Sequence, residues 1–440
     1  MASSRPKRSQ VIELFMRTAE ALGRHSDREI AELAGVTPEN VANWRAGSVK
    51  EFKRQTLNGI ADRIADQIAA LRGHRASTEI GLRHGLIELE VEESSGPDAL
   101  QKNFADRLHY DYLGHRFLYY EPQGALAWEN LIRDSYVHRA WIDGVSRCAR
   151  SWFGPGGSAH GGILNQALGL RRGAQRSGLE LVSLGSGEGG KEKVVLDVLA
   201  ELTYQPSWTA LALVDVSIPL LMRAARTARA IVFEKFGEEG VAVLPCCADF
   251  EEGELNFLER LPRARTRAEA KRIVLIFGNV LGSVRDEERF ISEKLERMIE
   301  PGDYVWLEVN RRLESERDDP MHALMADDEQ TANSAHRRLV LEGPYRRFEA
   351  AGHRRPANIR TRISLRKDDA TCAVPGSVNY VQDLLIEDEG RVLTMLYSRR
   401  YEEAGLRRWL GERGFDVEDV VNIDGGSSKE AMIHMLVRKR

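Results

Sequence analysis

At 440 residues the chain is long enough for two or three domains, and its 42% hydrophobic content allows sizeable buried cores. The 63 basic and 67 acidic residues give a net charge of −4, which excludes a strong attraction of the whole chain to nucleic acid or to a membrane surface. The four cysteines have neither disulfide nor metal-ligand spacing, and no segment has the pattern of a signal peptide or a membrane span. We therefore expect a cytoplasmic protein without a bound metal or a membrane partner.

The first 72 residues contain the pattern of two short helices around a tight turn. We expect a helix over Asp27–Ala34, a turn at Gly35, and a second helix with Thr37 as N-cap and Pro38 at its first position. The pattern resembles the helix-turn-helix of lambda-repressor-type DNA-binding domains. The resemblance implies that five residues of this segment face the major groove of DNA, namely Thr37, Glu39, Asn40, Asn43 and Arg45.

Two uses of this N-terminal segment stay open. It binds DNA, or it is a small helical domain for dimerisation or protein contact. Because a repressor-type domain usually works on two half-sites, the first use implies a homodimer. The remainder of the chain divides into a linker or hairpin over residues 73–98, a helical lid or substrate region over residues 99–180, and a larger domain over residues 181–440.

The stretch LVSLGSGEGGKEK, residues 181–193, is the most informative part of the chain. An apolar run stops in a glycine-rich turn and continues in a helical pattern, which predicts the strand, turn and helix of a nucleotide pocket. Gly185, Gly187 and Gly190 fit the G-x-G-x-x-G spacing, but an ordinary tight turn fits it too. The turn alone therefore does not decide the ligand, and the ends of the following strands become the guide.

Acidic residues follow the next two apolar runs. Asp215 ends the run LALVD, where a carboxylate could accept hydrogen bonds from both ribose hydroxyls. Asp249 and Phe250 follow the run VLPCCA and offer an acceptor for the exocyclic amine of adenine and an aromatic ring beside the base. This pair favours S-adenosylmethionine over NAD. A further run, RIVLIF, is followed by Gly278, which supplies backbone groups near a reactive methyl.

Together these motifs resemble the histidine-specific S-adenosylmethionine methyltransferases that make trimethylhistidine on the way to ergothioneine. The resemblance runs from about Leu181 to the C-terminus. It implies a seven-strand Rossmann-like α/β methyltransferase fold with S-adenosylmethionine as cofactor. The expected cofactor-binding residues are Gly185, Ser186, Gly187, Lys191, Asp215, Asp249, Phe250 and Gly278.

The chain departs from that family where the family holds its amino acid. Ser283 stands at the position of a substrate-binding asparagine, and Met395 stands at the position of the acid that reads the imidazole. A methionine cannot accept a hydrogen bond of the strength that a carboxylate accepts. We therefore carry over the cofactor and the methyl-transfer class, and we do not carry over histidine as the substrate.

Several polar residues end predicted strands on the acceptor side of the site. We expect catalytic roles for Asn279, Ser283 and Tyr397. Glu308 and Asn310 are further candidates in the same region, and packing or solvation is the alternative for each. By resemblance, the tyrosines of the lid region are also acceptor-side candidates, namely Tyr110, Tyr112, Tyr119 and Tyr120.

The sequence therefore predicts a methyltransferase that moves a methyl group from S-adenosylmethionine to a nitrogen of an amino-acid-like or peptide acceptor. A helix-turn-helix domain precedes the seven-strand α/β domain. One alternative is a DNA-binding regulator whose methyltransferase-like domain senses S-adenosylmethionine or a related metabolite. A third hypothesis, a nicotinamide-dependent dehydrogenase, rests on the glycine turn alone.

Overall fold

The computed structural model describes residues 26–34, 36–46, 89–95, 97–109, 112–120, 124–128, 136–154, 162–170, 174–236, 241–261, 270–312, 341–344, 349, 352, 358–366, 372–423 and 431–440. The chain forms two compact units, Met1–Glu88 and Leu89–Arg440. The N-terminal boundary of 72 residues and the finer division of the remainder stay predictions.

The N-terminal unit contains the two helices that the sequence predicts. They are α1 (Asp27–Ala34) and α2 (Pro38–Arg45). Thr37 caps α2 because its side chain accepts a hydrogen bond from the Asn40 backbone N–H, and Pro38 occupies the first turn. The predicted bounds of α1 and the predicted start of α2 are confirmed. Their apolar side is buried and consists of Ile30, Ala31, Ala34, Val41 and Trp44.

The larger unit is organised around a central sheet that has eight strands in the part of the chain that the structure describes. Its spatial order is β1-β4-β3-β2-β5-β6-β11-β10. Strands β1 to β6 are parallel, and β11 runs antiparallel to both β6 and β10. The strands are β1 (Glu90–Val91), β2 (Gly178–Leu184), β3 (Thr209–Asp215), β4 (Val241–Cys247), β5 (Ala270–Ile276), β6 (Tyr304–Asn310), β10 (Phe415–Ile423) and β11 (Met432–Lys439).

Helices connect and cover these strands. In chain order they are α3 (Pro97–His109), α4 (Arg116–Tyr119), α5 (Tyr136–Phe153), α6 (Ile163–Ala167), α7 (Gly190–Ala200), α8 (Ile218–Ile231), α9 (Val280–Ser283), α10 (Glu287–Arg289), α11 (Glu296–Met298) and α12 (Glu403–Glu412). A π-helical segment, Val232–Phe236, follows α8, and another, Phe290–Leu295, joins α10 to α11. Every residue of β2 and β3 is buried, as expected for parallel strands with helices on both faces.

The strand order identifies the fold as the predicted Rossmann-like methyltransferase type. Strands β4-β3-β2 extend in one direction from the middle of the sheet and β5-β6 in the other, with β11 inserted antiparallel before β10. The order reverses at β2, so a ligand crevice is expected beyond the carboxyl ends of β2 and β5. The eighth strand, β1, lies in the segment predicted as a linker or hairpin. That prediction missed the pairing with β4 because a two-residue strand leaves almost no pattern.

A second sheet belongs to the same unit. It consists of the antiparallel strands β7 (Ile359–Arg366), β8 (Val378–Ile386) and β9 (Arg391–Arg400) in the order β7-β8-β9. The segment before α4 joins it, since Tyr112 bridges Thr394 in parallel and the Leu113 N–H donates to the Thr394 carbonyl over 2.9 Å. The predicted helical lid region is thereby fixed to the C-terminal part of the chain.

Candidate active site

The glycine turn after β2 is bound to the acid that ends β3. Gly185 and Gly187 have positive φ angles of 68° and 54°, a conformation that glycine adopts without strain. The Asp215 carboxylate accepts the Gly187 N–H over 2.9 Å and the Ser217 N–H over 2.8 Å. Burial raises the pKa of Asp215 to about 6, since the charged form loses hydration that these bonds replace only in part.

The first glycine of the turn, Gly185, is packed so closely that a side chain would not fit there. A Cβ at Gly185 would lie 2.9 Å from the Val280 side chain and 3.8 Å from the Phe250 ring. Phe250 is itself buried and follows β4, as the sequence predicts. The turn, the aromatic ring and the Asp215 carboxylate therefore meet at one edge of the sheet.

Asp249 makes contacts that the sequence does not reveal. Its Oδ1 accepts the backbone N–H groups of Glu251 and Glu252 over 3.0 and 3.2 Å. Its Oδ2 accepts a hydrogen bond from the guanidinium of Arg116 in α4. Arg116 Nη2 also lies 3.0 Å from Glu252 Oε2. Arg116 and Asp249 are far apart in sequence, so no local motif could have indicated this ion pair.

These groups line a pocket that opens to solvent. Four of the predicted cofactor residues line it, together with residues of the lid region. The lining residues are Gly185, Asp215, Val216, Asp249, Phe250, Glu251 and Glu252 from the central sheet side, and Arg107, Tyr112, Leu113, Gly114, His115, Arg116 and Tyr119 from the lid side.

Burial also shifts the pKa values of Glu251 and His115, which line this pocket. Burial and the charge of Asp249 raise the pKa of Glu251 to about 7. Burial lowers the pKa of His115 to about 4, so its ring is neutral at pH 7. The His115 Nδ1 lies 3.9 Å from Glu251 Oε2. Hydrogen-bond donors on a ligand would favour the charged forms of these acids.

The predicted cofactor residues Lys191 and Gly278 lie beside a third acid, at the end of β6. Lys191 Nζ is 2.6 Å from Glu308 Oε2, and the Gly278 N–H donates to the same oxygen over 3.1 Å. Glu308 is completely buried. Lys191 also faces the ring of Trp141 in α5, with 4.8 Å between Nζ and the ring centroid.

A family model described as histidine-specific methyltransferase, SAM-dependent, matches residues 166–435 of this sequence, which is more than half of the chain. The chain belongs to this family. It is therefore a methyltransferase that uses S-adenosylmethionine, in agreement with the strand order of the central sheet.

Solved structures that match this methyltransferase are distant from it. The 1,6-didemethyltoxoflavin-N1-methyltransferase of Burkholderia thailandensis has 10% identity and a TM-score of 0.35, with 72% of this chain and 87% of that chain covered. The N-methyltransferase NodS of Bradyrhizobium japonicum has 10% identity and a TM-score of 0.31, with 72% and 99% covered. Similarity at this level does not identify the substrate of this chain. No curated protein matches the chain significantly.

Asn279, which the sequence predicts on the acceptor side, follows β5 and connects it to β6 and β9. It has a positive φ of 61°, its Oδ1 accepts the Asn310 N–H over 3.0 Å, and its Nδ2 donates to the Arg399 carbonyl over 3.2 Å. The hydroxyl of Ser283 donates to the Asn279 carbonyl over 3.1 Å. Both the oxygen and the nitrogen of the Asn279 side-chain amide are thus hydrogen-bonded to backbone groups of the protein. A catalytic role of Asn279 stays a prediction.

Tyr397 and Met395 lie on the same strand, β9, but contact different parts of the molecule. Tyr397 stacks on Tyr112 with 5.6 Å between ring centroids, and Tyr112 lines the pocket. Met395 is fully buried in a hydrophobic cluster with Phe104, Leu118 and other apolar side chains. Of the other tyrosines, Tyr119 lines the pocket and Tyr120 belongs to the hydrophobic cluster. Tyr110 lies outside the described residues.

The predicted DNA-facing residues of the N-terminal unit are exposed. Thr37 Oγ1 accepts from the Asn40 side chain over 3.0 Å, and Arg45 Nε donates to Asp27 Oδ1 over 2.7 Å. Asn43 is exposed on α2. The Arg45–Asp27 pair connects the second helix to the first.

The part of the chain that the structure describes contains no helix that is both long and apolar enough to cross a membrane. The same residues include no cluster of three or more His, Cys, Asp or Glu side chains that could hold a metal ion.

Proposed function

We propose that this methyltransferase transfers the methyl group to a nitrogen of an amino-acid-like or peptide acceptor. We assign the cofactor to the residues at the carboxyl edge of β2 to β5. The observation that carries this assignment is the buried carboxylate of Asp215, which is bonded to the glycine turn and lines the same pocket as Phe250. The assigned residues are Gly185, Ser186, Gly187, Lys191, Asp215, Asp249, Phe250 and Gly278.

The residues present fit an adenosyl cofactor. Among the described residues, the buried hydroxyls of Ser186 and Ser217 have no hydrogen-bond partner, and both flank the contact between the turn and Asp215. Asp215 can accept hydrogen bonds from ribose hydroxyls, and Phe250 offers an apolar ring face to a base. Asp249 has Arg116 on Oδ2, so an adenine amine would share that oxygen with the guanidinium.

S-adenosylmethionine supplies an electrophilic methyl group when it is bound. The residues of this chain have to hold an acceptor nitrogen in line with that group and keep water away, because orientation contributes most of the rate in such a displacement. The Tyr112–Tyr397 stack and the bridge between Tyr112 and Thr394 hold the lid segment against the second sheet. We propose that Ser283 and Tyr397 orient the acceptor and that Asn279 shapes the turn on which Ser283 lies.

The acceptor is proposed as nitrogen in an amino-acid-like compound because the family is described by its action on histidine. Histidine itself stays open, since a fully buried methionine replaces the acid expected to read the imidazole. The test uses intact protein with S-adenosylmethionine carrying a ¹³C-labelled methyl and a panel of amino acids and short peptides. A ¹³C shift typical of N-methyl supports the proposal, and a methyl found on oxygen, sulfur or carbon contradicts it.

The exposed face of α2 favours a second candidate function. We propose residues 1–72 as a helix-turn-helix domain, acting as a homodimer, that binds DNA while the methyltransferase domain senses the cofactor. Supporting observations are the Thr37 cap and the exposure of Asn40, Asn43 and Arg45. Selection from random DNA pools, with and without S-adenosylmethionine, tests this candidate. The absence of an enriched sequence in both conditions would sink it.

A further inference from the structure

His115 and Glu251 face each other in the pocket without a direct hydrogen bond. Both line the pocket, and His115 Nδ1 lies 3.9 Å from Glu251 Oε2, which is too long for such a bond. Their side chains are 11% and 14% exposed, and His115 Nδ1 has no hydrogen-bond partner among the described residues. A nearly buried polar atom without a partner is costly, so this gap indicates a place where a ligand supplies a hydrogen bond.

Both side chains are held by the end of α9 and the residues that follow it. Glu251 Oε1 accepts the Arg285 backbone N–H over 2.7 Å. The ring of His115 has a hydrogen bond with the backbone of Ser283, which favours the protonated ring and therefore involves a ring N–H as donor. Because Nδ1 has no partner in the described part of the chain, the neutral ring offers this atom to a ligand as an acceptor.

The His115–Glu251 gap adjoins the residues that we propose to orient the acceptor. Ser283 is one of them, and its backbone contacts the His115 ring. The guanidinium carbon of Arg285 lies 4.8 Å from the centroid of the Tyr112 ring, and Tyr112 stacks on Tyr397. The gap therefore lies where the lid segment, the end of α9 and the second sheet meet.

We propose that Glu251 and His115 hold the amine of the acceptor between them, and that Glu251 takes the proton which this amine must lose before methyl transfer. A nitrogen about 2.9 Å from each atom can donate one N–H to Nδ1 and another to Oε2. The acceptor is therefore a primary amine, such as the free amino group of an amino acid or a peptide. This proposal rests on the proposed function and adds two residues to it.

The proton balance of the reaction gives the carboxylate its role. An ammonium has no lone pair, so it first transfers one proton to Glu251 Oε2 and becomes an amine. The nitrogen lone pair then forms a bond to the methyl carbon, the bond from that carbon to sulfur breaks, and its electron pair stays on sulfur. The products are a methylated ammonium and S-adenosylhomocysteine. The proton on Glu251 leaves to solvent, to which the pocket opens.

The charges around Glu251 suit a proton acceptor at neutral pH. Burial and the charge of Asp249 raise the pKa of Glu251 to about 7, although Arg116 and Arg107 act in the other direction. The carboxylate is therefore ionised above pH 7, where it can take a proton from an ammonium. The titratable and charged groups that face it are Arg107, Tyr112, His115, Arg116, Tyr119, Asp249, Arg285 and Arg289.

The pH dependence of methyl transfer tests Glu251 in the full-length protein. The probe is the member of the ¹³C panel that gains most N-methyl with the parent protein, whose rate should rise as the pH increases through about 7. Glu251→Gln should be about 100-fold slower than the parent at pH 7. At a pH above the pKa of the amine it should come within about threefold, because a free amine needs no base. An equal ratio at both pH values, or no loss at pH 7, overturns the proposal.

Glu192→Gln is the matched control. Burial also raises the pKa of Glu192 to about 7, but its carboxylate accepts a hydrogen bond from the Ser183 hydroxyl, and it does not line the pocket. Its rate should stay within about threefold of the parent at both pH values. If the control shows the loss at pH 7 and the recovery at high pH, any buried carboxylate has this effect and the proposal is overturned.

Two further variants keep the test decisive if Glu251→Gln folds poorly. Glu251→Asp retains a carboxylate and should retain the rise in rate near pH 7, and a profile without that rise overturns the proton transfer. His115→Ala should raise the KM of the same amine about tenfold, the value of one hydrogen bond to a charged group. His115→Asn should restore the KM, because its amide oxygen can accept in place of Nδ1, and a KM that stays raised overturns the His115 contact.

Calorimetry with S-adenosylhomocysteine separates this gap from the cofactor contacts. Glu251→Gln and His115→Ala should each bind this ligand within about threefold of the parent. Losses of about tenfold or more in both variants would assign the gap to the cofactor and overturn the proposal. A parent protein that methylates an amine while Glu251→Gln matches it at pH 7 overturns this proposal alone. A parent protein that yields no N-methyl product from the panel overturns the proposed function, and this proposal with it.

Discussion

The proposed cofactor side and the proposed acceptor side of this methyltransferase are built in different ways. On the proposed cofactor side, Asp215 ends a parallel strand and Gly185 and Phe250 follow two others, and they meet because those strands end at the same edge. On the proposed acceptor side, Tyr397 lies on a second sheet and meets Tyr112 from the lid segment through ring stacking. One side is determined by strand order, and the other by contacts between distant segments.

This difference explains which positions tolerate a change of chemistry. A residue at the end of a strand can present a polar side chain to the ligand crevice while the strand itself stays buried. A carboxylate at such a position therefore remains available to a ligand. Within the second sheet, Met395 lies at a bulge of β9, where the register with β8 shifts between Gln382 and Asp383, and its side chain packs in the hydrophobic cluster, whereas Tyr397 packs against Tyr112. Placing a carboxylate there would therefore disturb the hydrophobic cluster before it could read any substrate.

The largest effect is expected for a charged substitution at Met395, which tests whether this side chain belongs to the hydrophobic cluster. Met395→Glu should lower the free energy of unfolding by roughly 3 to 5 kcal/mol, since an unpaired carboxylate would be buried among apolar side chains. Met395→Leu should cost less than about 1.5 kcal/mol. Urea unfolding measures both. A stable Met395→Glu protein that methylates L-histidine would show that this side chain faces the acceptor.

On the cofactor side, Asp215→Asn should weaken S-adenosylhomocysteine about 100-fold, because the amide replaces a charged acceptor of two ribose hydroxyls. Asp303→Asn is a matched control. Asp303 is also buried and accepts two backbone N–H groups, from Arg272 and Glu300 over 2.9 Å each, but it lies before β6 at the opposite edge. Calorimetry should show an affinity within about threefold of the parent for the control. Similar losses in both variants would remove Asp215 from the site.

The pH dependence of binding sharpens the same assignment. The pKa of Asp215 is raised to about 6, so its carboxylate is protonated progressively below that pH and accepts fewer hydrogen bonds. The affinity for S-adenosylhomocysteine should therefore fall as the pH is lowered. At pH 5 it should be about tenfold weaker than at a pH well above 6. The Asp215→Asn variant should lack this component. A parent affinity that is constant between pH 5 and 7 would contradict the prediction.

The smallest effect is expected on the acceptor side. Tyr397→Phe should lower the rate of methyl transfer about three- to tenfold, the value of one hydrogen bond, and leave the affinity for S-adenosylhomocysteine unchanged. Tyr380→Phe is the control, because Val381 and not Tyr380 pairs with Tyr397, which places Tyr380 on the other face of the sheet. Equal rate losses in the two variants would indicate a structural role for Tyr397.

The sequence predicts the parts of this molecule that depend on neighbouring residues. The start of α2 follows from the cap at Thr37 and the proline after it. The strand, turn and helix around Gly185 follow from an apolar run that stops at glycines. In both places the determining residues lie within a few positions of each other, so the pattern is readable without the fold.

The remaining features depend on contacts across long stretches of sequence. Arg116 meets Asp249, and Lys191 meets Glu308, although each pair is separated by more than 100 residues. A single arginine or lysine in a charged surface pattern does not indicate its buried partner. The two-residue strand β1 was missed for a related reason, since only its pairing with β4 distinguishes it from a linker.

The proposed cofactor site is tested most directly by titration calorimetry of the intact protein with S-adenosylmethionine, S-adenosylhomocysteine and NAD, together with mass spectrometry of any molecule that co-purifies. Binding of the two adenosyl ligands without binding of NAD is the predicted result. Binding of NAD alone, or of none of the three, would contradict the assignment of the glycine turn, Asp215 and Asp249 to the cofactor.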